Sequence, residues 1–319
     1  MTSKKLRVLF VVNVPNFGTQ QGGIFTYRQF LSLKKFKGIN VSKIDLPIHN
    51  NKLVSYLKFA MQIRKMSNNY DILHAHHSYS IILGRLFKKK KSKLIGTFLS
   101  DRENNFRFKI KWVNKLFFYF TQMICDHAIV KNDQSIIWPN KCSVLGNPVN
   151  TEKFQIKDNL WCKKKIGVSE ENVIGIVISG DLNRPEKNLS EYHNIMSTLK
   201  GEYSPLVINN INPDDMCDYI NCCEFIIVTS KFEGSPNAVK EALACGVPVI
   251  SRDVGDVKKL LLGLNCCHVY TDPNEINIKL LKELRGNVER ELLRKQVSDF
   301  YGTEAEVAAK LIKIYQEIT

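Results

Sequence analysis

Runs of aliphatic and β-branched residues alternate with amphipathic segments along the chain. The apolar runs predict strands at 6–12, 41–45, 72–74, 93–97, 128–130, 173–179, 206–209, 225–228 and 247–251. The runs are continuous rather than alternating, which is typical of strands buried on both faces of a parallel sheet. Helical patterns between them, such as 24–35 and 106–125, supply the crossovers that parallel strands require. The sequence therefore predicts an α/β protein.

Two such strand–helix cycles meet near residue 150, which predicts two Rossmann-like domains. A length of 319 residues agrees, because a typical domain has roughly 150 residues. We expect residues 1–150 to form an N-terminal domain and residues 151–319 a C-terminal domain, with the last helix, about 304–318, packing on either one. In such a pair, ligands bind at the carboxyl ends of the strands, in the cleft between the domains.

The formal net charge is +15, and all of the excess lies in the first half of the chain. Residues 1–150 hold 25 basic and 6 acidic residues, whereas residues 151–319 hold 21 basic and 25 acidic residues. A basic first domain favours an anionic partner such as lipid headgroups, pyrophosphate or nucleic acid. A Lys-, Asn- and Ile-rich genome would also raise the overall charge, but it explains the asymmetry less well.

Cysteine usage and hydropathy indicate the compartment. The nine cysteines fit neither a disulfide ladder nor a zinc-ligand spacing. The first residues do not resemble a signal peptide, and no apolar stretch approaches the ~20 residues of a membrane span. We expect a soluble protein of a reducing cytoplasm.

Residues 229–260 carry the strongest chemical signal. A strand ends near Ser230, Ser235 is placed as a helix N-cap and Pro236 as the first helical residue, so backbone N–H groups there can hold a phosphate. Glu233 precedes the helix and Glu241 lies eight residues later, so their carboxylates would accept hydrogen bonds from two parts of one elongated ligand, such as sugar and ribose hydroxyls. An isolated E-x7-E spacing is more typical of a capped surface helix with solvated glutamates.

The whole string, from Glu233-Gly-Ser-Pro-Asn to Cys-Gly-Val-Pro-Val249, resembles the signature of glycosyltransferase family 4. The resemblance extends over nearly the whole chain. It implies a GT-B fold, in which two Rossmann-like domains face a central cleft, with an N-terminal acceptor domain and a C-terminal nucleotide-sugar domain. It further implies that Glu233 contacts the donor sugar and Glu241 the nucleotide ribose. The backbone that approaches the donor would be that of Gly234, Ser235, Pro236 and Asn237.

The loop after the predicted strand 173–179 contains Arg184 and Lys187. Two loop cations are by themselves usually solvated. The family carries an Arg and a Lys in this loop to neutralise the donor diphosphate, and the resemblance implies that role here. Asp181 stands where many members have an arginine, so we assign the role to Arg184.

Three histidines follow Asp71 at the end of a strand. They could suggest a metal site, but strand alternation puts His74 and His76 on one face and His77 on the other, without an acidic or cysteine companion. The resembling Asp-x-x-His-x-His pattern implies that His76 lies close to the sugar. His74 is interpreted as structural and His77 remains undecided.

Four weaker positions complete the predicted site. Gly22 and Gly23 resemble the family's Gly-Gly loop over the donor, although two such glycines alone are more typical of a plain turn. Asp101 is an acceptor-side candidate, and Asn147 either lines the cleft or is a turn residue. Two departures matter: Lys259 replaces a glutamate common in the family, and the short segment 188–225 could lack one βα unit.

From Arg85 to Lys115 there are 11 basic and 2 acidic residues, interleaved with aromatic side chains. This composition suits an anionic bilayer surface, whereas a core-packed helix with solvated lysines is the simpler alternative. No nucleic-acid-binding module accompanies the charge, so nucleic acid is not expected as a partner. The candidate membrane residues are Lys88, Lys89, Lys90, Lys91, Lys109, Lys111 and Trp112.

Taken together, the sequence predicts a cytoplasmic glycosyltransferase bound peripherally to the inner face of the membrane. It would move a sugar from a UDP- or GDP-sugar to a hydroxyl of a lipid-linked or glycan acceptor, in surface polysaccharide or glycolipid biosynthesis. The resemblance implies retention of anomeric configuration, with no cofactor and no required metal. The alternatives are a GT-B nucleotide-sugar epimerase and a non-catalytic protein that binds anionic surfaces.

Overall fold

The computed structural model describes residues 5–15, 23–99, 110–178 and 181–319. The chain forms two compact units. Unit 1 comprises Met1–Asn147 together with Glu304–Thr319, and unit 2 comprises Pro148–Thr303. The last helix therefore lies in unit 1, although the segment that precedes it belongs to unit 2.

Each unit is built on one parallel sheet. The strands, in chain order, are β1 (Leu6–Val12), β2 (Ile39–Asp45), β3 (Ile72–His76), β4 (Lys93–Thr97), β5 (His127–Val130), β6 (Cys142–Val144), β7 (Val173–Ile178), β8 (Ser204–Asn209), β9 (Phe225–Val228), β10 (Val249–Arg252) and β11 (His268–Tyr270). The strand order is β2-β1-β3-β4-β5-β6 in unit 1 and β11-β10-β9-β7-β8 in unit 2. All the described pairings are parallel.

Helices cover both faces of each sheet. They are α1 (Ile24–Lys34), α2 (Lys52–Met66), α3 (Ser78–Phe87), α4 (Lys111–Ile124), α5 (Asn159–Ile166), α6 (Leu189–Thr198), α7 (Met216–Asn221), α8 (Asn237–Ala244), α9 (Val257–Leu260), α10 (Ile278–Gly286), α11 (Arg290–Tyr301) and α12 (Glu304–Ile318). Among the described residues, no helix combines the length and apolarity needed to cross a membrane.

The alternation of side chains along β1 divides the core of unit 1. Val8 and Phe10 pack on one face of the sheet with residues of α1 and α12, such as Leu33 and Leu311. Leu9 and Val11 face the other side, where α2, α3 and α4 supply apolar partners. Both faces of the strand are thus buried, which explains its uninterrupted apolar sequence.

Unit 2 repeats this arrangement. In β9, Phe225 and Ile227 pack with α6 and α10, whereas Ile226 and Val228 pack with α7, α8 and α11. The helix α8 buries Val239, along with Ala242 and Leu243, against the sheet. This packing fixes the position of the helix start, where the predicted donor-binding residues lie.

The predicted strands agree with the structure at both ends for β1, β4 and β9. The sequence did not predict the three-residue strands β6 and β11, which are too short to show a periodic pattern. The helix predicted at 106–125 is described from Lys111, and residues 100–109 lie outside the described part.

Candidate functional site

The carboxyl ends of β7 and β9, which are neighbours in the sheet of unit 2, carry two of the predicted site loops. The loop after β7 includes a 3-10 turn at Pro185–Lys187, and the loop after β9 contains Glu233 and Gly234. Loops at this edge of a parallel sheet are where α/β proteins bind their ligands. Residues 179–180, at the start of the first loop, lie outside the described residues.

Three hydrogen bonds join these loops. The Nζ of Lys187 donates to Oε1 of Glu233 at 2.6 Å, and both side chains are about four-fifths buried, at 18% and 20% exposed. Thr229 Oγ1 donates to the Lys187 carbonyl at 2.7 Å, and the Lys231 N–H donates to the carbonyl of Glu186 at 2.8 Å. The predicted diphosphate cation and the predicted sugar carboxylate are therefore directly in contact.

Arg184 lies in the same loop as Lys187. Its Nε and Nη2 donate to Oε1 of Glu186 at 2.9 and 2.8 Å, and the side chain is one-third exposed. The guanidinium is thus oriented by a neighbouring carboxylate. The structure places both predicted cations at the edge where Glu233 lies.

The predicted start of the helix after β9 is wrong by one residue. Pro236, with φ −69° and ψ 124°, is the N-cap, and α8 begins at Asn237 rather than at Pro236. Ser235 is not the N-cap, because its hydroxyl donates to Oδ2 of Asp256 at 2.7 Å and lies 3.2 Å from the Tyr301 hydroxyl. The side chain that the local pattern assigned to capping is used in a long-range contact instead.

Asn237 and Glu241 lie four residues apart in α8 and therefore share one face of the helix. Both side chains are half-buried, in contrast to Val239 on the buried face. Residues 234–237 contribute backbone groups at the N-terminal end of the helix, where the helix dipole favours an anion. The arrangement can hold a phosphate at the helix start and a hydroxyl-bearing group one turn further.

The predicted sugar contact His76 lies at the end of β3 in unit 1 and is fully buried. Neither ring nitrogen has a hydrogen-bond partner among the described residues. Its ring lies 4.8 Å from Phe10 and 4.2 Å from His74, between centroids. Burial, followed by the neighbouring His74, lowers the pKa of His76 well below its ordinary value, so the imidazole is neutral.

His74 differs from His76 because both of its nitrogens have partners. Nδ1 lies 2.5 Å from the Tyr315 hydroxyl and Nε2 lies 2.6 Å from Oγ1 of Thr97. Burial, with a smaller effect of Lys131, lowers its pKa to about 3. His74 joins α12 to the sheet and has the hydrogen bonds of a structural residue.

The weaker candidates have separate environments. Gly23 is the N-cap of α1, with φ 62°. The side chain of Asn147 accepts a hydrogen bond from the buried Lys131 at 2.8 Å. Gly22 and Asp101 lie outside the described residues, as does Lys109 of the proposed membrane surface.

No group of three or more His, Cys, Asp or Glu side chains in the described ranges is arranged to hold a metal ion. The residues that sequence reasoning missed at this site are Lys240, Asp256 and Tyr301, which lie behind the loop at 233–235. Tyr301 is 66 residues from Ser235, so no local pattern could reveal their contact.

Three helices of unit 1 form a second feature of interest. We define the acid-free layer as α2, α3 and α4, which lie side by side on one face of the sheet and contain no Asp or Glu. Large apolar side chains of the layer are exposed: Leu53, Leu57 and Met61 of α2, Tyr79 and Leu86 of α3, and Trp112, Leu116, Phe120 and Met123 of α4. Lys90, Lys91 and Lys111 are exposed beside them. The contribution of α2 was not predicted.

Comparison with known proteins shows that the chain is similar to glycosyltransferases. Residues 164–285 match the family described as Glycosyl transferases group 1. An uncharacterized glycosyltransferase of Methanocaldococcus jannaschii, MJ1178, is 24% identical over 293 residues, which are 84% of this chain and 77% of that protein. The matched range includes the loop with Arg184 and Lys187 and the E-x7-E segment.

Several solved structures are similar to the chain over nearly its full length. Sucrose-phosphate synthase (tll1590) from Thermosynechococcus elongatus has a TM-score of 0.79 at 14% identity, covering 99% of both chains. Anabaena HepE, solved in complex with UDP, has a TM-score of 0.74 at 13% identity, covering 98% of this chain and 100% of that one. The predicted GT-B fold is confirmed.

Proposed function

We propose that this chain transfers a sugar from a nucleoside diphosphate donor to a hydroxyl group. The transfer would retain the anomeric configuration, as in glycosyltransferase family 4. The family match and the fold, which support a glycosyltransferase, are the premise of this proposal. The observation that carries the proposal is the 2.6 Å contact between Lys187 and Glu233. It brings a cation suited to a diphosphate and a carboxylate suited to sugar hydroxyls to one edge of a sheet, beside a helix N-terminus.

Each group has a role in donor binding. The backbone at 234–237 and the cations Arg184 and Lys187 hold the diphosphate. Glu233 accepts hydrogen bonds from the sugar, and Glu241, further along α8, accepts them from the ribose. HepE was solved with UDP, which supports a uridine donor here, with GDP-sugars as the alternative.

The proposed reaction is a front-face displacement. The acceptor oxygen bonds to the anomeric carbon on the face from which the diphosphate departs, and the carbon–oxygen bond to the phosphate breaks. A phosphate oxygen takes the acceptor proton, and the nucleoside diphosphate leaves. Arg184, Lys187 and the helix start stabilise the charge that develops on it. We propose that no metal or cofactor takes part.

A thermal-shift screen of UDP-, GDP- and ADP-sugars, followed by donor hydrolysis in EDTA, tests this proposal. We expect one nucleotide sugar to stabilise the protein and to be hydrolysed slowly. Changing Lys187 or Arg184 to Ala should lower turnover by about 100-fold, a typical effect of removing one charge-stabilising group. Glu241→Ala should weaken donor binding about tenfold, which corresponds to loss of one good hydrogen bond.

The rival functions give different results. An epimerase would convert the donor sugar without acceptor and without releasing nucleotide. A non-catalytic surface-binding protein would bind anionic surfaces equally well after the Arg184→Ala and Lys187→Ala changes and would hydrolyse no donor. A screen in which no nucleotide sugar stabilises the protein would contradict the proposal.

We further propose that the acceptor is lipid-linked or a glycan, and that the protein works at the inner face of an anionic membrane. The acid-free layer supports this, because its exposed aromatic and aliphatic side chains lie beside exposed lysines, and its three helices contain no Asp or Glu. Apolar side chains enter the acyl boundary of a bilayer, and nearby cations attract anionic headgroups. Surface polysaccharide or glycolipid synthesis is the corresponding setting.

A further inference from the structure

A lysine lies completely buried inside the E-x7-E segment. Lys240, directly before Glu241 in α8, is 1% exposed, although an ammonium group is costly to bury without compensation. Its Nζ lies 3.5 Å from Oδ1 of Asn237 and 4.6 Å from the centre of the Tyr301 ring. A cation over the face of an aromatic ring is stabilised by the ring quadrupole. The proposed roles of the E-x7-E segment do not use this residue.

A buried carboxylate lies close to this lysine. Asp256, 6% exposed, accepts hydrogen bonds at Oδ2 from the Tyr301 hydroxyl at 2.6 Å and from Ser235 Oγ at 2.7 Å. Burial lowers the pKa of Lys240 to about 8, and the opposing influence of the Asp256 carboxylate is the largest of three, ahead of Glu241 and Glu233. The Lys240 side chain and the Asp256 carboxyl therefore attract each other inside the protein.

The same contacts join the donor loop to the loop that follows β10. Ser235 is linked to Asp256 through its hydroxyl, and the adjacent Gly234 meets Gly255 backbone to backbone. A Cβ atom at Gly255 would lie 2.6 Å from the carbonyl oxygen of Gly234, and Gly255 has φ +60°. Only glycine fits this approach without strain. The two loops therefore hold each other in one conformation.

We propose that Lys240, Asp256 and Tyr301 are positioning residues that fix the backbone of Gly234 and Ser235 in the conformation that binds the donor diphosphate. We name these three residues the positioning cluster. This inference rests on the proposed function, and it goes beyond it because none of the three residues is assigned a contact with the donor. The cluster acts through Ser235, whose hydroxyl is held by Asp256 and Tyr301.

The cluster prepares the site before the ligand arrives. Backbone N–H groups bind a phosphate strongly only when they are already oriented, because otherwise binding must order the loop. Loss of the cluster should therefore weaken binding of the diphosphate part of the donor. It should not affect the nucleoside part, which the proposal assigns to Glu241. A general loss of stability would weaken both parts.

The test compares two buried tyrosines of unit 2. Tyr301→Phe removes the hydroxyl bonded to Asp256 but keeps the ring beneath Lys240. Tyr192→Phe is the matched control, because the Tyr192 hydroxyl is also buried and donates to the Ile174 carbonyl at 2.6 Å, at the far end of β7. Calorimetry measures the Kd of the nucleoside diphosphate found for the wild type, and ligand-observed NMR measures the Kd of the corresponding nucleoside. The melting temperature of each variant is recorded as well.

For Tyr301→Phe we expect the Kd of the diphosphate to rise about tenfold and that of the nucleoside to change less than about twofold. Tyr192→Phe should leave both Kd values within about twofold of those of the wild type, whatever the melting temperature of this variant. Ser235→Ala removes the same link from the loop side and should reproduce the effect, which keeps the test decisive if Tyr301→Phe does not fold.

Two results overturn the inference while leaving the proposed function intact. The first is a diphosphate Kd that is unchanged both in Ser235→Ala and in a folded Tyr301→Phe. The second is that these two variants lose affinity for the diphosphate and for the nucleoside to the same extent. A wild-type protein that binds none of UDP, GDP and ADP overturns the proposed function and this inference with it.

Discussion

At the scale of single residues, the two histidines at the end of β3 show how burial decides charge. His74 and His76 are both fully buried, and burial lowers the pKa of each below the ordinary value of 6.5. Because their folded-state pKa values are depressed, the unfolded chain binds protons near pH 6 that the folded chain does not. Both residues therefore destabilise the folded protein in acid.

We expect the free energy of unfolding to fall as the pH is lowered below about 6.5 and to be unaffected by these histidines above it. The loss should approach about 1.4 kcal/mol per pH unit for each histidine. Urea denaturation between pH 7.5 and 5 measures the free energy of unfolding at each pH. His76→Gln should reduce the slope by about one proton, whereas the exposed His193→Gln is the control. An unchanged slope in His76→Gln would mean that His76 titrates alike in both states.

The local sequence was informative about residues whose partners are close along the chain. Glu233 could be placed just before one helix and Glu241 within it, because a strand, a loop and a helix stop signal surround them within about twenty residues. The role of Ser235 was wrong for the opposite reason. Its partners come from distant elements, Asp256 from the loop after β10 and Tyr301 from the end of α11, whereas capping propensity describes only adjacent backbone.

At the scale of elements, the packing of α3 on the sheet depends on the absence of one side chain. A Cβ atom at Gly96 in β4 would lie 2.6 Å from both the Cδ1 atom of Ile81 in α3 and the Sγ atom of Cys125. These two side chains are buried, so they have little room to move. The helix can approach the strand only because position 96 is glycine.

Gly96→Ala should lower the free energy of unfolding by about 1–3 kcal/mol, the usual cost of overpacking a core. Gly38→Ala is the matched control, since a Cβ atom there meets nothing within 4 Å. It should be neutral or slightly stabilising, because alanine restricts the unfolded chain. Chemical denaturation of the two variants compares them directly, and equal midpoints would show that α3 adjusts without cost.

Long central strands could be predicted because burial on both faces leaves uninterrupted apolar runs. The edge strands β6 and β11 have three residues each and partly exposed side chains, so their sequences do not differ from those of loops. These short strands form because each pairs with a neighbouring strand, and the sequence of a three-residue segment does not show that pairing.

At the scale of the whole molecule, the acid-free layer brings exposed apolar side chains and lysines together on one face of unit 1. The sequence indicated this surface only between Arg85 and Lys115. The structure adds α2, where Leu53, Leu57 and Met61 repeat every four residues and are exposed. Their alignment with α4 could not be predicted, because it depends on which helices share a sheet face.

Sedimentation with lipid vesicles tests the whole layer. We expect binding to vesicles that contain phosphatidylglycerol, weaker binding to neutral phosphatidylcholine vesicles, and a loss of binding as salt rises. Leu57→Glu and Leu116→Glu should each reduce binding about fivefold or more, because each places a carboxylate in the layer. Leu262→Glu is the control in unit 2, where Leu262 is 78% exposed. An effect of Leu116→Glu without one of Leu57→Glu would restrict the surface to α4.

The division of the chain has a consequence for biosynthesis. Unit 2 is one uninterrupted segment, whereas unit 1 is completed only by α12, whose Tyr315 is fully buried beside His74. During translation, unit 2 can reach its final form as soon as residue 303 has left the ribosome. Unit 1 begins first but finishes last, because the face of its sheet opposite the acid-free layer is covered only in part, by α1, until α12 has been made. The nascent chain therefore departs from the usual order, in which the first domain folds first.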